Sequence, residues 1–127
     1  MEGDKRASLG GLRVLVAEDE AVVALDLEFA LRGLGCEVLG PTASVTHTLE
    51  LLGQERPDAV FLDFHLVDGP ALPVAETLRT IEVPFILATG KTADELEHPV
   101  LQRVPRLEKP YGDDEVRQAL VGLLGCY

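Results

Sequence analysis

The 127-residue sequence has no tryptophan and only two cysteines, Cys36 and Cys126. Two cysteines do not make a disulfide framework, and these two have no spacing typical of a metal site. The longest apolar runs are far shorter than the roughly 20 residues of a membrane-spanning helix. The polar start MEGDKRASLGG contains no apolar signal core. These absences argue against a disulfide-rich secreted protein and a membrane protein, and we expect a cytoplasmic location.

Positive charge is also scarce in this chain. Eleven Lys and Arg residues stand against 22 Asp and Glu residues, which gives a formal net charge of -11 at pH 7. Because an acidic surface is repelled by nucleic-acid phosphates and by anionic lipid headgroups, the charge argues against both as partners. Metal cations and basic protein surfaces fit this charge better.

The sequence does contain a regular alternation of short apolar runs with segments of helical period. The apolar runs predict buried strands at residues 13–17, 37–40, 59–63, 84–89 and 104–108. The helical segments span residues 20–34, 44–54, 70–81 and 113–124, and Ser44 is a good N-cap for the second of them. The alternation predicts a single α/β domain, in which a five-stranded parallel sheet forms a three-layer sandwich with helices on both faces.

The segment between Thr89 and Lys109 is the least regular part of this pattern. It must hold a further helix, the fourth along the chain, and the fifth strand, yet Pro99 interrupts it and Pro105 falls inside the strand. Because proline breaks helices, we expect the fourth helix to be short or irregular. Because proline also lacks a hydrogen-bond donor, we expect the fifth strand at the sheet edge.

Polar residues follow or close four of the predicted strands. Glu18 and Asp19 come directly after the first strand, Asp63 closes the third, Thr89 closes the fourth and Lys109 follows the fifth. The carboxyl ends of parallel strands emerge on one side of a sheet, where ligands bind. We therefore expect these five side chains to meet in one crevice.

The chemistry of these side chains points to a metal and a phosphoryl group. Adjacent carboxylates repel one another and raise one another's pKa values, and a bound cation relieves that repulsion. Hard oxygen ligands of this kind suit Mg²⁺ (or Mn²⁺), held by Glu18, Asp19 and Asp63. The Thr89 hydroxyl and the Lys109 ammonium would hold phosphoryl oxygens. Asp63 would be the nucleophile, since a carboxylate can form an aspartyl phosphate.

Each of these residues also has an ordinary structural explanation. Acids after a strand often only favour the start of the next helix, which is the role we assign to Glu20. Thr89 alone is a common strand residue, and Lys109 alone is a common surface charge. Asp63 is harder to explain in this way, because an unpaired acid at the end of a buried strand is costly. The combination favours a functional site.

Four segments together resemble the receiver domains of two-component response regulators. They are VLVAEDE (14–20), AVFLDFHL (59–66), ILATG (86–90) and LEKPY (107–111). The resemblance implies a flavodoxin-like fold with the strand order 2-1-3-4-5. It also implies one receiver domain at residues 11–125, a flexible tail at residues 1–10 and no output domain.

The resemblance implies a role for each acidic residue of the site. Asp63 accepts a phosphoryl group from a histidine kinase. Asp19 binds Mg²⁺ directly, Glu18 binds it through water, and the backbone carbonyl of His65 completes the protein ligands. The chain would then be a signalling switch, not an enzyme, that catalyses only its own phosphorylation and dephosphorylation.

The resemblance also implies how the phosphoryl group is held. Thr89 follows it as the switch hydroxyl, Lys109 pairs with it, and the bond between Lys109 and Pro110 is cis. The chain departs from the family in that Arg106 replaces the usual aromatic residue, so the route by which the switch is transmitted differs. The segment VPFILATGK (83–91) resembles a stand-alone subgroup with a Phe-Ala-Thr-Gly type motif.

Two further side chains are candidates for tuning the site. His65 lies two residues after the phosphoacceptor, where it would modulate how water reaches the phosphoryl group. Lys91, two residues after Thr89, is a similar candidate, and Arg106 is the third modulator that we name.

Three functional classes remain open at this stage. A phosphorylated switch would act through a histidine kinase and a histidine phosphotransfer protein or another downstream protein. A degenerate receiver would bind partners without phosphorylation, but the retained site residues argue against it. A Mg²⁺-dependent hydrolase of the haloacid dehalogenase type also uses an aspartate nucleophile. It needs a second aspartate two residues later, where this chain has His65.

Overall fold

The structure, a computed structural model, describes residues 9–89 and 98–125. In this part of the chain, strands and helices alternate. The strands of the main sheet are β1 (Arg13–Ala17), β2 (Glu37–Thr42), β3 (Ala59–Asp63), β4 (Phe85–Thr89) and β5 (Arg106–Glu108). The helices are α1 (Ala21–Gly33), α2 (Val45–Gln54), α3 (Leu72–Thr80) and α4 (Asp113–Leu124).

The main sheet is parallel, with the strand order β2-β1-β3-β4-β5. This confirms the predicted flavodoxin-like order, with β5 at an edge. Three strands differ from their predicted starts or ends, and β4 differs only in that it begins at Phe85 rather than at residue 84. β2 runs to Thr42 rather than to residue 40, and β5 begins at Arg106 rather than at residue 104. Pro105 lies just outside the strand, but its carbonyl still accepts a hydrogen bond of 2.9 Å from the Leu87 N–H.

The sheet is apolar on both faces, which explains why its strands appear as continuous apolar runs. One face packs against α2 and α3 and contains Leu15, Leu62 and Leu87. The other face packs against α1 and α4 and contains Phe61 and Ile86. Leu9, two residues before the predicted start of the domain, is also buried on this second side. Side-chain alternation along the strands thus builds two cores, one on each face of the sheet.

Local signals mark the ends of α2 and α4. Ser44 is the N-cap of α2, as predicted, and its hydroxyl accepts a hydrogen bond of 3.0 Å from the His47 N–H. Three acids occupy the first turn of α4, and Gly125 ends that helix with φ +66°. α3 begins at Leu72, two residues later than predicted, because Pro70 belongs to a hairpin described below.

The predicted fourth helix lies largely outside the described residues. Beyond that gap, Pro99–Leu101 form a single 3₁₀ turn. His98 begins the turn, and its Nδ1 accepts a hydrogen bond of 3.2 Å from the Val100 N–H. Lys91, a proposed modulator, also lies outside the described part of the chain.

A bulge in β2 shapes the edge of the sheet beside β1. The pairing runs from Leu15 with Leu39 to Ala17 with Thr42, so β2 contains one extra residue. Gly40 adopts φ +84° there, and its bond to Pro41 is cis. A Cβ atom at Gly40 would lie 2.9 Å from both the Thr42 nitrogen and the Val16 oxygen, so this close approach requires glycine.

Candidate functional site

The carboxyl ends of β1 and β3 bring the predicted acidic residues together. Glu18 is the first residue after β1, and its N–H donates a hydrogen bond of 2.8 Å to the Thr42 carbonyl at the end of β2. Asp63 is the last residue of β3, which lies beside β1 in the sheet. The bulged end of β2 therefore helps to fix the backbone from which Glu18 extends toward Asp63.

Glu18, Asp19 and Asp63 form a compact carboxylate cluster. One oxygen from each of them lies within 4.8 Å of the other two. Glu18 and Asp63 are buried, whereas Asp19 is the most exposed of the three. The three side chains that were predicted to bind the metal therefore lie close together.

Lys109 reaches this cluster from the end of β5. Its Nζ lies 2.8 Å from Glu18 Oε1 and 3.4 Å from Asp63 Oδ2. It also lies 3.4 Å from Glu20 Oε1. The bond from Lys109 to Pro110 is cis, as the resemblance implies.

The cluster shifts the pKa values of its members. Burial, followed by the charge and hydrogen bond of Glu18, raises the pKa of Asp63 to about 7, against the opposing effects of Lys109 and of the His65 N–H. Burial alone would lower the pKa of Lys109, but Glu18 and Asp63 outweigh it and raise the pKa above its usual range. Lys109 is therefore a permanent cation, while metal-free Asp63 can hold a proton near neutrality.

His65 contributes its backbone to the site, and its side chain faces away from the core. The His65 N–H donates a long hydrogen bond of 3.4 Å to Asp63 Oδ1. Its imidazole is exposed and lies edge-to-face against Phe64, with 4.8 Å between ring centroids. This places the main chain of His65 beside the acceptor carboxylate.

Thr89 lies on β4, the strand beside β3, and Arg106 lies on β5, the edge strand beyond β4. Thr89 ends β4 and pairs with Glu108, while its neighbour Ala88 pairs with Asp63. The side chain of Thr89 lies outside what the structure describes, so its role as a switch hydroxyl stays a prediction. Arg106 begins β5 and is exposed.

Two residues of the site were not predicted. Glu20 was interpreted as a residue that favours the start of α1, but its side chain makes no capping hydrogen bond and instead contacts Lys109. The Tyr111 hydroxyl is buried and has no hydrogen-bond partner among the described residues. Burial and the nearby charge of Glu18 raise the pKa of Tyr111 to about 12. Both features depend on how the segment after β5 packs near the end of β1, which no local sequence pattern reveals.

The donor atoms of the cluster fit a hard divalent cation. Three carboxylates face one ammonium, so the ionised cluster carries an excess of two negative charges. A divalent cation would offset that excess, and carboxylate oxygens suit Mg²⁺ and Mn²⁺. The residues that would hold it are Glu18, Asp19 and Asp63, with the main chain of His65 close by.

Known proteins resemble both the sequence and the fold. The REC domain of the response regulator PhyR from Erythrobacter litoralis has a TM-score of 0.82 and 28% identity, with 93% of each chain covered. SdrG from Sphingomonas melonis Fr1 has a TM-score of 0.77 and 33% identity, covering 91% of this chain and 98% of that one. The sensory transduction protein LytT of Bacillus cereus is 31% identical over 112 residues. No family model matches the chain.

These similarities define the class of the protein. The chain belongs to the receiver domains of response regulators. It covers 46% of the length of LytT and 30% of the length of the PhyR regulator of Methylorubrum extorquens, so it spans less than half of these curated relatives. Its assignment to the Phe-Ala-Thr-Gly subgroup stays a prediction. None of the helices in the described ranges has the length and apolar character needed to span a bilayer.

Proposed function

We propose that this receiver domain is a phosphorylation switch, in which Asp63 accepts a phosphoryl group from a phosphohistidine of a histidine kinase. One observation in particular supports the proposal. The buried Asp63 carboxylate lies in a cluster with Glu18 and Asp19, within reach of the permanently charged Lys109. This arrangement supports the proposal because it would combine a nucleophile, ligands for a cation and a fixed positive charge at the same end of the sheet.

The reaction forms one bond and breaks another. An oxygen of ionised Asp63 attacks the phosphorus atom, and the bond between phosphorus and the kinase imidazole breaks. The electron pair returns to the imidazole, which takes a proton from solvent. Lys109 donates a hydrogen bond to a phosphoryl oxygen, exchanging its present contact with Asp63 for one with the bound group.

The metal ligands in this proposal are the carboxylates of Asp19 and Asp63 and the backbone carbonyl of His65, with Glu18 acting through water. A bound Mg²⁺ or Mn²⁺ supplies positive charge that offsets the charge on the phosphoryl oxygens. Burial of Glu18 and Asp63 strengthens these electrostatic interactions, because buried charges are poorly screened by solvent. Thr89 would donate its hydroxyl to the phosphoryl group once that group is in place.

An exposed apolar surface next to the site supports a protein as the phosphoryl donor. Val22, Leu25 and Phe29 lie on α1, with exposed fractions of 72%, 53% and 68%. Their spacing places them along one side of the helix that begins directly after the acidic segment. We propose that the kinase contacts this surface, and that the signal passes to a phosphotransfer protein or another downstream protein in the cytoplasm.

Chemical phosphorylation tests this proposal. The protein is incubated with acetyl phosphate and Mg²⁺, and the intact mass of wild type is compared with that of Asp63→Asn. Wild type should gain about 80 Da, the mass of one phosphoryl group, and the variant should gain nothing. An unmodified wild type would support a phosphorylation-independent binding module. Rapid turnover of many phosphate esters per protein would support the hydrolase.

A further inference from the structure

The loop that follows Asp63, residues 64–71, folds back on itself. His65–Leu66 pair with Gly69–Pro70 as a short antiparallel hairpin. The Ala71 N–H donates a hydrogen bond of 2.7 Å to the Phe64 carbonyl, which closes the base of the loop. Phe64 and Leu66 are buried, so alternate residues attach the loop to the core beside α3.

The tip of the 64–71 loop is attached to a different element, the N-terminus of α2. Asp68 Oδ1 accepts a hydrogen bond of 2.6 Å from the Val45 N–H. Asp68 Oδ2 accepts two hydrogen bonds of 3.1 Å from Thr46, one from its N–H and one from its hydroxyl. Next to these contacts, the Val67 N–H donates a hydrogen bond of 3.0 Å to the Ala43 carbonyl.

Asp68 and Ser44 divide the capping of α2 between them. The first N–H groups of a helix have no partner within the helix. Ser44 accepts from the N–H of His47, whereas Asp68 accepts from the N–H groups of Val45 and Thr46. These contacts also lower the pKa of Asp68, so its carboxylate is ionised at neutral pH and interacts favourably with the helix dipole. Ser44 caps from within the same segment, but Asp68 caps from the phosphoacceptor loop.

We propose that Asp68 is a positioning residue for the phosphoacceptor site. By holding the tip of the 64–71 loop against α2, it keeps the main chain of His65 in place beside Asp63. This inference rests on the proposed function, in which the carbonyl of His65 is a metal ligand. Outer contacts that orient a ligand contribute to metal affinity without touching the metal.

The N-terminus of α2 allows a matched comparison. Asp68→Ala removes capping contacts of α2 and also releases the loop. Ser44→Ala removes a cap from the same helix turn but leaves every contact of the loop in place. Asp68→Asn keeps one oxygen that can accept a hydrogen bond from the Val45 N–H. It replaces the other oxygen, which accepts from Thr46, with an amide nitrogen. If Asp68 only stabilised the helix, Asp68→Ala and Ser44→Ala would have similar effects on Mg²⁺ affinity.

Two readouts separate the positioning role from simple loss of stability. Isothermal titration measures the Mg²⁺ affinity of each variant at a temperature where all are folded. Amide hydrogen exchange at Val67 measures whether the loop stays docked. We expect Asp68→Ala to weaken Mg²⁺ binding about tenfold and to accelerate Val67 exchange. Asp68→Asn should be intermediate, and Ser44→Ala should leave both values near wild type.

Equal Mg²⁺ affinity in Asp68→Ala and Ser44→Ala, with wild type binding normally, would overturn the inference. So would unchanged Val67 exchange in Asp68→Ala. If wild type itself bound no Mg²⁺ and accepted no phosphoryl group, the proposed function would be the part that fails. The two failures are therefore distinguishable by the behaviour of wild type.

Discussion

At the scale of single residues, Asp63 combines two requirements that oppose each other. The proposed reaction requires an ionised Asp63, yet burial and the neighbouring Glu18 raise its pKa to about 7. Lys109 opposes this shift without cancelling it. A cation in the cluster would lower the pKa of Asp63 further, so metal binding and the nucleophilic form of Asp63 favour each other.

The pKa of Asp63 predicts how the metal-free protein responds to pH. Its folded pKa of about 7 lies above its ordinary value of 3.8, so the folded state holds this proton more tightly than the unfolded chain. The resulting stabilisation is fully present below pH 3.8 and is lost as pH rises through 7. Asp63→Asn removes this dependence and should therefore be more stable than wild type at pH 8, by on the order of a few kcal/mol.

Thermal unfolding with a chelator present checks this prediction. The advantage of Asp63→Asn over wild type should be clear at pH 8 and should shrink toward pH 4. Glu50→Gln is a matched control, because it removes one carboxylate charge from an exposed position on α2. An advantage of Asp63→Asn that is the same at both pH values would contradict the pKa assignment.

At the scale of elements, the bulge in β2 links the sheet to the site. Gly40 makes the bulge possible, and the bulge brings the Thr42 carbonyl to the N–H of Glu18. The hydrophobic pattern predicted the strand but ended it at residue 40. It did so because glycine followed by proline is a typical strand end. Close backbone packing against β1 overrides that local signal.

Gly40→Ala should destabilise the protein by about 2–4 kcal/mol, because it adds the cost of a left-handed alanine to that of two backbone overlaps. Urea unfolding measures this change. Gly122→Ala is the comparison, since Gly122 lies in α4 and an added Cβ there meets no atom within 4 Å. That variant should gain up to about 1 kcal/mol. Similar stabilities for the two variants would show that the bulge does not require glycine.

The strands and helices also show which structural features can be predicted from the sequence and which cannot. Apolar runs such as 59–63 predicted strands because both faces of the sheet are buried, and Ser44 predicted the start of α2 because its cap is local. The hairpin at residues 65–70 was missed because its strands have only two residues each, which is too short for a recognisable strand pattern. The capping of α2 by Asp68 joins residues 22 and 23 positions apart, which a local pattern does not reveal.

At the scale of the whole molecule, the net negative charge of the protein and the carboxylate cluster both favour the binding of cations. The net charge of -11 raises the local concentration of divalent cations around the protein. In the proposed function, the cluster would supply the specific ligands. The convergence of Glu18, Asp19, Asp63 and Lys109 followed from the parallel sheet alone, because the strand ends of such a sheet meet on one side. The contact of Glu20 with Lys109 did not follow, since it depends on side-chain conformation.

Magnesium should stabilise the whole fold by binding the native state, by about 2.7 kcal/mol at a hundredfold excess over the dissociation constant. The melting temperature of wild type should rise with millimolar Mg²⁺. Asp19→Asn should lose most of this rise, whereas Asp26→Asn, which removes an exposed carboxylate of α1, should keep it. An equal rise in both variants would place the cation outside the cluster.

The site draws on three distant parts of the chain: the acids after β1, Asp63 at the end of β3, and Lys109 after β5. During synthesis the acidic residues leave the ribosome well before the lysine does. A partly made chain therefore carries the Asp63 carboxylate without the Lys109 ammonium that contacts it in the folded protein. Because β5 is the last strand of the sheet along the chain, the site is complete only after the whole sheet has been synthesised. Under the proposed function, a kinase would therefore act on molecules with a finished sheet and leave nascent chains unmodified.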